Sequence, residues 1–357
     1  MKLSWVFFLG VSLLCDGDLA IGGTADSTGK EVAILPIAVD SPGQISFVEE
    51  NVTFSPHDED RGYINGTNLS YTTGSLKENS IWDSPIRWLG DSTFLFHRPS
   101  DKTDDRLEWT ILGQSIFTPD NHQLRDPNLD DRPYAGWLYT GLNFVQDYDA
   151  QRLSTLQFLG GIVGPWALGR QVQNGVHSIL GQQLARGWNH QLSNEFGFTV
   201  SWEQKWRFNH PLGEGYSWEI LPDAGITAGN VFDYAEAGFL VRWGRGLKAD
   251  WGPEMVRPGY SGTSYFSGDR VGAKFGWDLF FGTQARAVAW NIFLDGNTLQ
   301  NSRSVAKEPL VDDLIIGTEI FSKAGFRLSF SLVERTPEFR TQKGMDSFGS
   351  FNGAYAF

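Results

Sequence analysis

Cysteine is almost absent from this chain: of 357 residues only Cys15 carries a thiol, and only three are methionine. No stretch beyond Cys15 offers the roughly 20 consecutive apolar residues that a transmembrane helix needs. Cations are scarce too, with 29 Lys and Arg against 42 Asp and Glu, a formal net charge of -13. These absences exclude a disulfide framework, a helical membrane anchor, and nucleic acid as partner, since binding a phosphate backbone requires clustered positive charge. Any contact with an anionic lipid must use local Lys and Arg or a metal ion.

Glycine and aromatic residues are abundant instead. The chain holds 41 Gly, 26 Phe, 14 Trp and 10 Tyr, yet its mean hydropathy is only -0.27. An apolar outer face with aromatic girdles around a polar lumen averages to such a value, as in a membrane-spanning β-barrel. The length suits one large barrel without a second domain.

The N-terminus reads as an export signal: Lys2, an apolar run from Trp5 to Cys15, then small residues around Ala20-Ile21-Gly22 and Thr24-Ala25. Residues 1–25 are therefore expected to be a signal peptide, 26–42 a lead-in and 43–357 the barrel. Leu13-Leu14-Cys15 hints at a lipoprotein site, but Leu14 sits where a small residue is expected. With Cys15 in the leader, the mature chain has no thiol, which suits an oxidising periplasm.

Strands are legible by their period of two. Between 194 and 208, Phe196, Phe198, Val200, Trp202, Trp206 and Phe208 alternate with Gly197, Thr199, Ser201, Glu203, Lys205 and Arg207. The last strand places Phe351, Tyr355 and Phe357 on one face and Asn352, Ala354 and Ala356 on the other. Similar runs near 43–54, 62–74, 105–118, 133–147, 152–163, 216–227, 229–243, 270–290, 313–322 and 325–335 bring the count to about twelve. The fold class is all-β: an antiparallel transmembrane barrel of the bacterial outer membrane, with monomer as the default state. Parity puts the connections 55–61, 119–132 and 164–193 outside, and the short turns 148–151 and 209–215 in the periplasm. Segments 75–104 and 244–269 are long for the periplasmic side and read as plugs or caps, or as a sign of a miscounted hairpin.

One outer connection breaks the period. Val172, Val176, Ile179 and Leu180 recur at helical spacing between Gly169 and Gly181, which predicts a short amphipathic helix. Gln173 and Asn174 lie four and three residues before His177 and flank it on one side. His177 has two readings: a solvated or capping histidine, or a general base near neutral pH. Asp130-Asp131-Arg132-Pro133-Tyr134 reads as a turn with Arg132 tying strands together, or as a catalytic cluster. His122 lies in the second outer loop and could approach the rim. No serine stands out as a nucleophile.

The stretch from Gly164-Pro165 through Gln173-Asn174 and His177, with Gly187-Trp188, Gln191-Leu192, Asn194-Glu195 and Asp131-Arg132-Pro133-Tyr134-Ala135-Gly136-Trp137, resembles the lipid A 3′-O-deacylase (LpxR) family of outer membrane proteins. Asp60-Arg61 with Tyr63-Ile64-Asn65-Gly66, and Thr336-Pro337-Glu338-Phe339-Arg340, resemble it as well, so the likeness spans about 45–357. It implies a twelve-stranded barrel acting on lipid A of lipopolysaccharide among outer membrane lipids. The 3′-linked acyloxyacyl ester would be hydrolysed by His-activated water, with calcium steadying the oxyanion. His177 falls on the family's catalytic His, Asn51 on an Asn of the site, and Arg125 on a basic residue facing a lipid A phosphate, with Gln173 and Asn174 beside the substrate.

Three positions depart from the family pattern. Val52 stands where active members carry Asp, Ile64 where Thr or Ser is expected, and Gln183 where Glu follows the His. Calcium requires hard oxygen donors, and Val and Ile supply none. Glu49, Glu50, Asp58, Glu59 and Asp60 could replace them, or form a solvated acidic loop; Glu50, beside Asn51, is the leading metal candidate, although strand parity points it away. The resemblance therefore leaves two readings: a lipid A deacylase, or a catalytically degenerate barrel with a structural or lipid-binding role.

Overall fold

The computed structural model describes residues 43–56, 61–78, 80–258 and 263–357. The expected signal peptide and lead-in lie outside them, as do His57, Asp58, Glu59 and Asp60. Thirteen strand segments form one antiparallel sheet: β1 (Gln44–Asn51), β2 (Gly62–Thr72), β3 (Thr103–Thr118), β4 (Ala135–Tyr148), β5 (Arg152–Val163), β6 (Glu195–Trp206), β7 (Phe208–Gly213), β8 (Tyr216–Gly229), β9 (Phe232–Arg245), β10 (Phe275–Asn291), β11 (Leu310–Ser322), β12 (Phe326–Arg335) and β13 (Asp346–Ala356). β6 and β7 are one wall strand interrupted at Arg207, since both pair with β8. β1 pairs with both β2 and β13, which closes the sheet into a twelve-stranded barrel. Closure leaves no unpaired sheet edge for lipid to desolvate.

The alternation read from the sequence decides which way each side chain points. Phe351, Tyr355 and Phe357 are exposed on the outside, while Asn352 and Ala354 are buried. Phe196 and Phe198 likewise face out, and Glu203 and Lys205 face in. The β7–β8 turn is tighter than the expected 209–215: β7 extends the hairpin to Gly213, and Glu214 and Gly215 make the turn with φ of 53° and 83°. Two consecutive residues with positive φ match the right-handed twist of a hairpin.

The two long inner-side connections behave differently. Residues 246–258 and 263–274 rise into the lumen as a plug. Glu254 accepts from Ser46 on β1 and from Asn352 on β13, the Val256 amide donates to Glu50 (2.9 Å), and Arg257 bonds Glu203 (2.6 Å) and Glu236 (3.2 Å). The Pro258 carbonyl accepts from Arg335 and the Phe266 carbonyl from Arg106. By contrast, 75–104 neither plugs nor caps the lumen. It carries helix α1 (Asp83–Ser92) and packs on the outer surface of the wall, against Leu107, Leu142, Phe144 and Leu156.

Ion pairs hold the lumen alongside a buried apolar cluster that includes Trp137, Leu240, Trp251 and Met255. Arg242, fully buried, binds Glu219 (3.0 Å), Asp250 (2.6 Å), Asp278 and Glu319 (3.2 Å). Asp313 bridges Arg286 and Arg335 at 2.8 Å each. At the outer rim Arg132 pairs with Glu338 (2.8 Å) and lies over the Phe117 ring, tying the β3–β4 loop to the β12–β13 loop. Arg132 is thus a tie between loops, as its sequence context suggested.

Arg242→Met removes the shared partner of four buried acids. It is expected to lower stability by about 3–5 kcal/mol, read as the urea midpoint of barrel refolded in detergent; an unchanged midpoint would contradict the arrangement. For Glu338, burial alone would raise the carboxyl pKa, but Arg132 and Arg335 outweigh it and hold the group below its ordinary 4.5. A lowered folded pKa contributes stability at pH above 4.5 and loses it as pH falls through the folded value. Acidification below that range should therefore release the Arg132 tie in the wild type, and unfolding midpoints of Glu338→Gln should show a shallower decline with acid.

Candidate active site on the outer wall

The third outer connection folds down over the outside of the barrel. Gly164 opens it, and its amide bonds the Gly136 carbonyl. A short 3-10 turn, Pro165–Ala167, then leads to helix α2, Gly169–Leu180. Gln114 of β3 donates to the Ala167 carbonyl (2.6 Å). Gly136 of β4 lets the connection approach closely: a Cβ there would lie a tight 3.2 Å from Ala167 Cβ and 3.3 Å from the Gly169 amide. These contacts seat α2 on the outward face of β3 and β4.

Helix α2 forms where its spacing predicts, but its apolar stripe does not face a core. Gly169, Gln173 and His177, at intervals of four, are the buried residues, and Val172, Val176, Ile179 and Leu180 are exposed. A helix with its polar stripe against the wall and its greasy stripe outward suits a lipid environment, where acyl chains take the place of the core. Trp188 anchors the polar stripe: its indole donates to Gln173 Oε1 (2.8 Å), and its ring packs on Tyr134 at 4.8 Å. Asn174 bonds the Ala185 backbone in both directions, at 3.1 and 2.8 Å. Gln173 and Asn174 therefore brace the loop that presents His177.

His177 is itself oriented. Its Nδ1 lies 2.7 Å from the Gln183 carbonyl; a carbonyl only accepts, so Nδ1 carries the proton and the basic lone pair is on Nε2. The bond uses the backbone of Gln183, so the departure from Glu at this position does not affect it. The ring meets His122 edge-to-face at 5.8 Å, which brings the second outer loop to the same place.

The wall beside α2 carries an unusual patch. Asn51, Asn65, Ile116 and Gly136 form one row across β1 to β4, and Glu49, Thr67 and Gln114 form the next. Facing residues on adjacent strands share a side of the sheet, so these polar groups lie on the outward, otherwise greasy, surface. Strands about 4.8 Å apart put Asn65 about 10 Å from the Gly136 contact with α2. Asn65 and Thr67 donate to Glu49 at 2.6 and 2.7 Å, and Asn51 Oδ1 accepts from the Thr53 amide (2.9 Å) and hydroxyl (2.7 Å).

Glu50 does not share this site. It faces the lumen, where Tyr63 (2.7 Å) and the Val256 amide (2.9 Å) bond it, so Glu50 and Asn51 lie on opposite sides of the wall. Val52 and Ile64 are buried in the main apolar cluster. Among the described residues no group of three or more His, Cys, Asp or Glu side chains is placed to hold a metal. Glu49 is bonded by Asn65 and Thr67 and Asn51 Oδ1 by Thr53, which leaves Asn65 Oδ1, buried with no hydrogen-bond partner among the described residues, as the one further amide oxygen beside a single carboxylate. This donor set does not fit calcium, which takes six to eight hard oxygens.

Arg125 is exposed in the second outer loop, and two further cations flank α2 that sequence spacing did not single out, Arg170 and Arg186, both exposed. Glu49, Asn65 and Thr67 could have been found by strand parity, since each interrupts an outward run of apolar residues. The Arg residues had no such signal, because the loop fold alone gathers them.

Trp188→Phe deletes the indole donor while preserving the ring. It should loosen the turn 181–186 and speed its cleavage by a soluble protease several-fold, with barrel stability unchanged; equal cleavage rates would show that Gln173 does not depend on the bond.

Residues 8–357 match the family model described as outer membrane protein LpxR. Among solved structures the barrel resembles LpxR from Salmonella typhimurium at 22% identity and a TM-score of 0.67, covering 88% of this chain and 100% of that one. It also resembles, at TM-scores of 0.40 and 0.38, the β domain of the Bordetella autotransporter BrkA (10% identity, 89% of this chain and 98% of that one) and an outer membrane channel of Pseudomonas putida (11% identity, 90% and 97%). No curated protein matches the sequence. With nearly its whole length matched by the family model and its fold shared with the Salmonella protein, the chain belongs to the LpxR family of outer membrane proteins.

Proposed function

We propose that this protein is a lipid A deacylase of the outer leaflet, hydrolysing the 3′-linked acyloxyacyl ester with His177 as general base. The observation that carries the reading is the two-faced helix α2. Its exposed Val172, Val176, Ile179 and Leu180 suit acyl chains, and its buried stripe carries His177 on the side away from them, on a helix seated on strands whose outward surface bears a polar patch. A substrate embedded in the leaflet would reach such a site sideways from the membrane.

His177 Nε2 takes a proton from water as the hydroxide oxygen adds to the ester carbonyl carbon. The Nδ1 bond to Gln183 keeps the ring in the required tautomer. Collapse of the tetrahedral intermediate breaks the bond to the sugar oxygen, which receives the proton from His177, giving a 3′-hydroxyl and a free acyloxyacyl acid. With its Oδ1 held by the Thr53 amide and hydroxyl, Asn51 would offer its Nδ2 amide as a donor for the developing oxyanion. Arg125, with Arg170 and Arg186, supplies charge for the lipid A phosphates. The resemblance implies calcium at the oxyanion, but no step here is routed through it, because Val52 and Ile64 withdraw the donors.

One observation favours the second reading, a barrel that has kept its fold and lost its chemistry: Val52 and Ile64 pack as core residues. Mass spectrometry of lipid A incubated with the purified barrel separates the two. Loss of the acyloxyacyl mass, reduced about 10²–10⁴-fold in His177→Ala and unchanged by a calcium chelator, is the expected result. No mass change with folded wild type would leave the structural or lipid-binding role.

A further inference from the structure

The segment that was expected to cap the lumen lies instead on the membrane side of the wall, near the inner end of the barrel. Leu107, Phe144, Leu156 and Trp202 face one another in register across β3, β4, β5 and β6. They form a single outward row. Ile86, Leu89, Leu95 and Phe96 of the segment pack with Leu107, Phe144 and Leu156. Trp202 donates its indole N–H to the Leu95 carbonyl (3.1 Å) and meets the Phe94 ring edge-on at 5.7 Å. The His97 amide bonds the outward Gln146 side chain (2.6 Å), and the His97 ring stacks on Tyr148, the last residue of β4, at 3.7 Å.

These contacts fix the depth of the segment. Phe144 stands four residues from the inner end of β4, about 13 Å along the strand and less along the membrane normal once the strand tilt is counted. Helix α1 thus runs beside the barrel at the level where headgroups meet acyl chains. Its buried side carries Ile86 and Gly90; a side chain at Gly90 would strike the His97 carbonyl at 2.2 Å. Trp88, about 200° round the helix from Ile86, points away from the wall and is 63% exposed, and Phe94 is 77% exposed. Lys102 and Arg98 are exposed beyond them toward the inner end.

We propose that residues 80–97 are an interfacial anchor that inserts Trp88 and Phe94 into the phospholipid of the inner leaflet. An aromatic pair without a protein cover is costly in water, but these two continue the greasy outer surface of the barrel: Phe94 meets outward Trp202, and the segment packs on Phe144, which meets exposed Phe158. That continuity selects phospholipid as the occupant. The wall buries one face of the segment and the bilayer the other, so the segment holds the barrel at a set depth on this side, independently of any chemistry at the outer rim.

The test uses the full chain carrying Cys15→Ser, refolded into vesicles of phosphatidylethanolamine and phosphatidylglycerol. Nitroxide labels go on Trp88→Cys and Phe94→Cys, with Phe158→Cys as the lipid reference and Lys102→Cys as the aqueous one. Labels at 88 and 94 should collide with oxygen in preference to a water-soluble nickel chelate, as the label at 158 does. Collision behaviour like that at 102 would overturn the anchor and leave a water-exposed or protein-covered surface. If the labelled chains do not fold, quenching of tryptophan fluorescence by brominated phospholipid decides: Trp88→Phe should remove a quenchable fraction from the wild-type signal, and equal quenching would overturn the proposal.

Discussion

Every feature of this molecule follows from one constraint: inside a bilayer no backbone N–H or C=O can be left to water. A sheet meets it only by closing, so β1 must find β13, and the alternating side chains must then sort themselves into a lipid face and a lumenal face. The charges that a net -13 chain carries are driven inward, where Arg242, Asp313 and Arg257 organise them into pairs. Residues 246–258 and 263–274 enter among those pairs and bond to the lumenal side of the wall. The lumen is therefore a structural core in which ion pairs stand beside a buried apolar cluster.

That leaves the outside of the wall, and the chain uses it twice. At the outer rim, α2 turns its greasy stripe to the leaflet and its polar stripe to β3 and β4, so that His177 sits between lipid and barrel. At the inner end, α1 repeats the arrangement with Ile86 on the wall and Trp88 away from it. Both helices are short, and neither could hold its shape alone; each is stabilised because one face packs on the barrel and the other meets hydrocarbon. The same logic explains the Asp131-Arg132-Pro133-Tyr134-Ala135-Gly136-Trp137 motif. Arg132 ties loops through Glu338, Tyr134 carries Trp188, Gly136 admits α2, and Trp137 fills the lumen.

The site shows how a family scaffold tolerates change at its centre. Val52 and Ile64 lie in the apolar cluster, and the outward patch keeps one carboxylate, Glu49, bonded by Asn65 and Thr67, yet the loop that orients His177 is intact. Its geometry depends on the Gln183 carbonyl, on Gln173 with Trp188, and on Asn174 with Ala185; of these only Gln183 is an altered position, and it acts through its backbone. The positioning of the histidine therefore does not depend on the side chains at Val52 and Ile64.

The strands, their faces and their number were written in the sequence, because a period of two is enforced residue by residue wherever lipid lies on one side and a polar lumen on the other. The helix over Gly169–Leu180 was legible from its spacing for a related reason. Which way that helix would face was not, since an apolar stripe reads alike whether it meets a protein core or acyl chains. Glu50 and Asn51 show the limit at a finer scale: parity separates them, but only the plug reaching Glu50 and the Thr53 bonds to Asn51 give each its surroundings. The fates of 75–104 and 244–269 were undetermined by local pattern. Both are long inner connections of mixed polarity, and what decided between wall and lumen was the partner each found across the barrel, outward Leu107 and Phe144 for one and lumenal Glu50, Glu203 and Glu236 for the other.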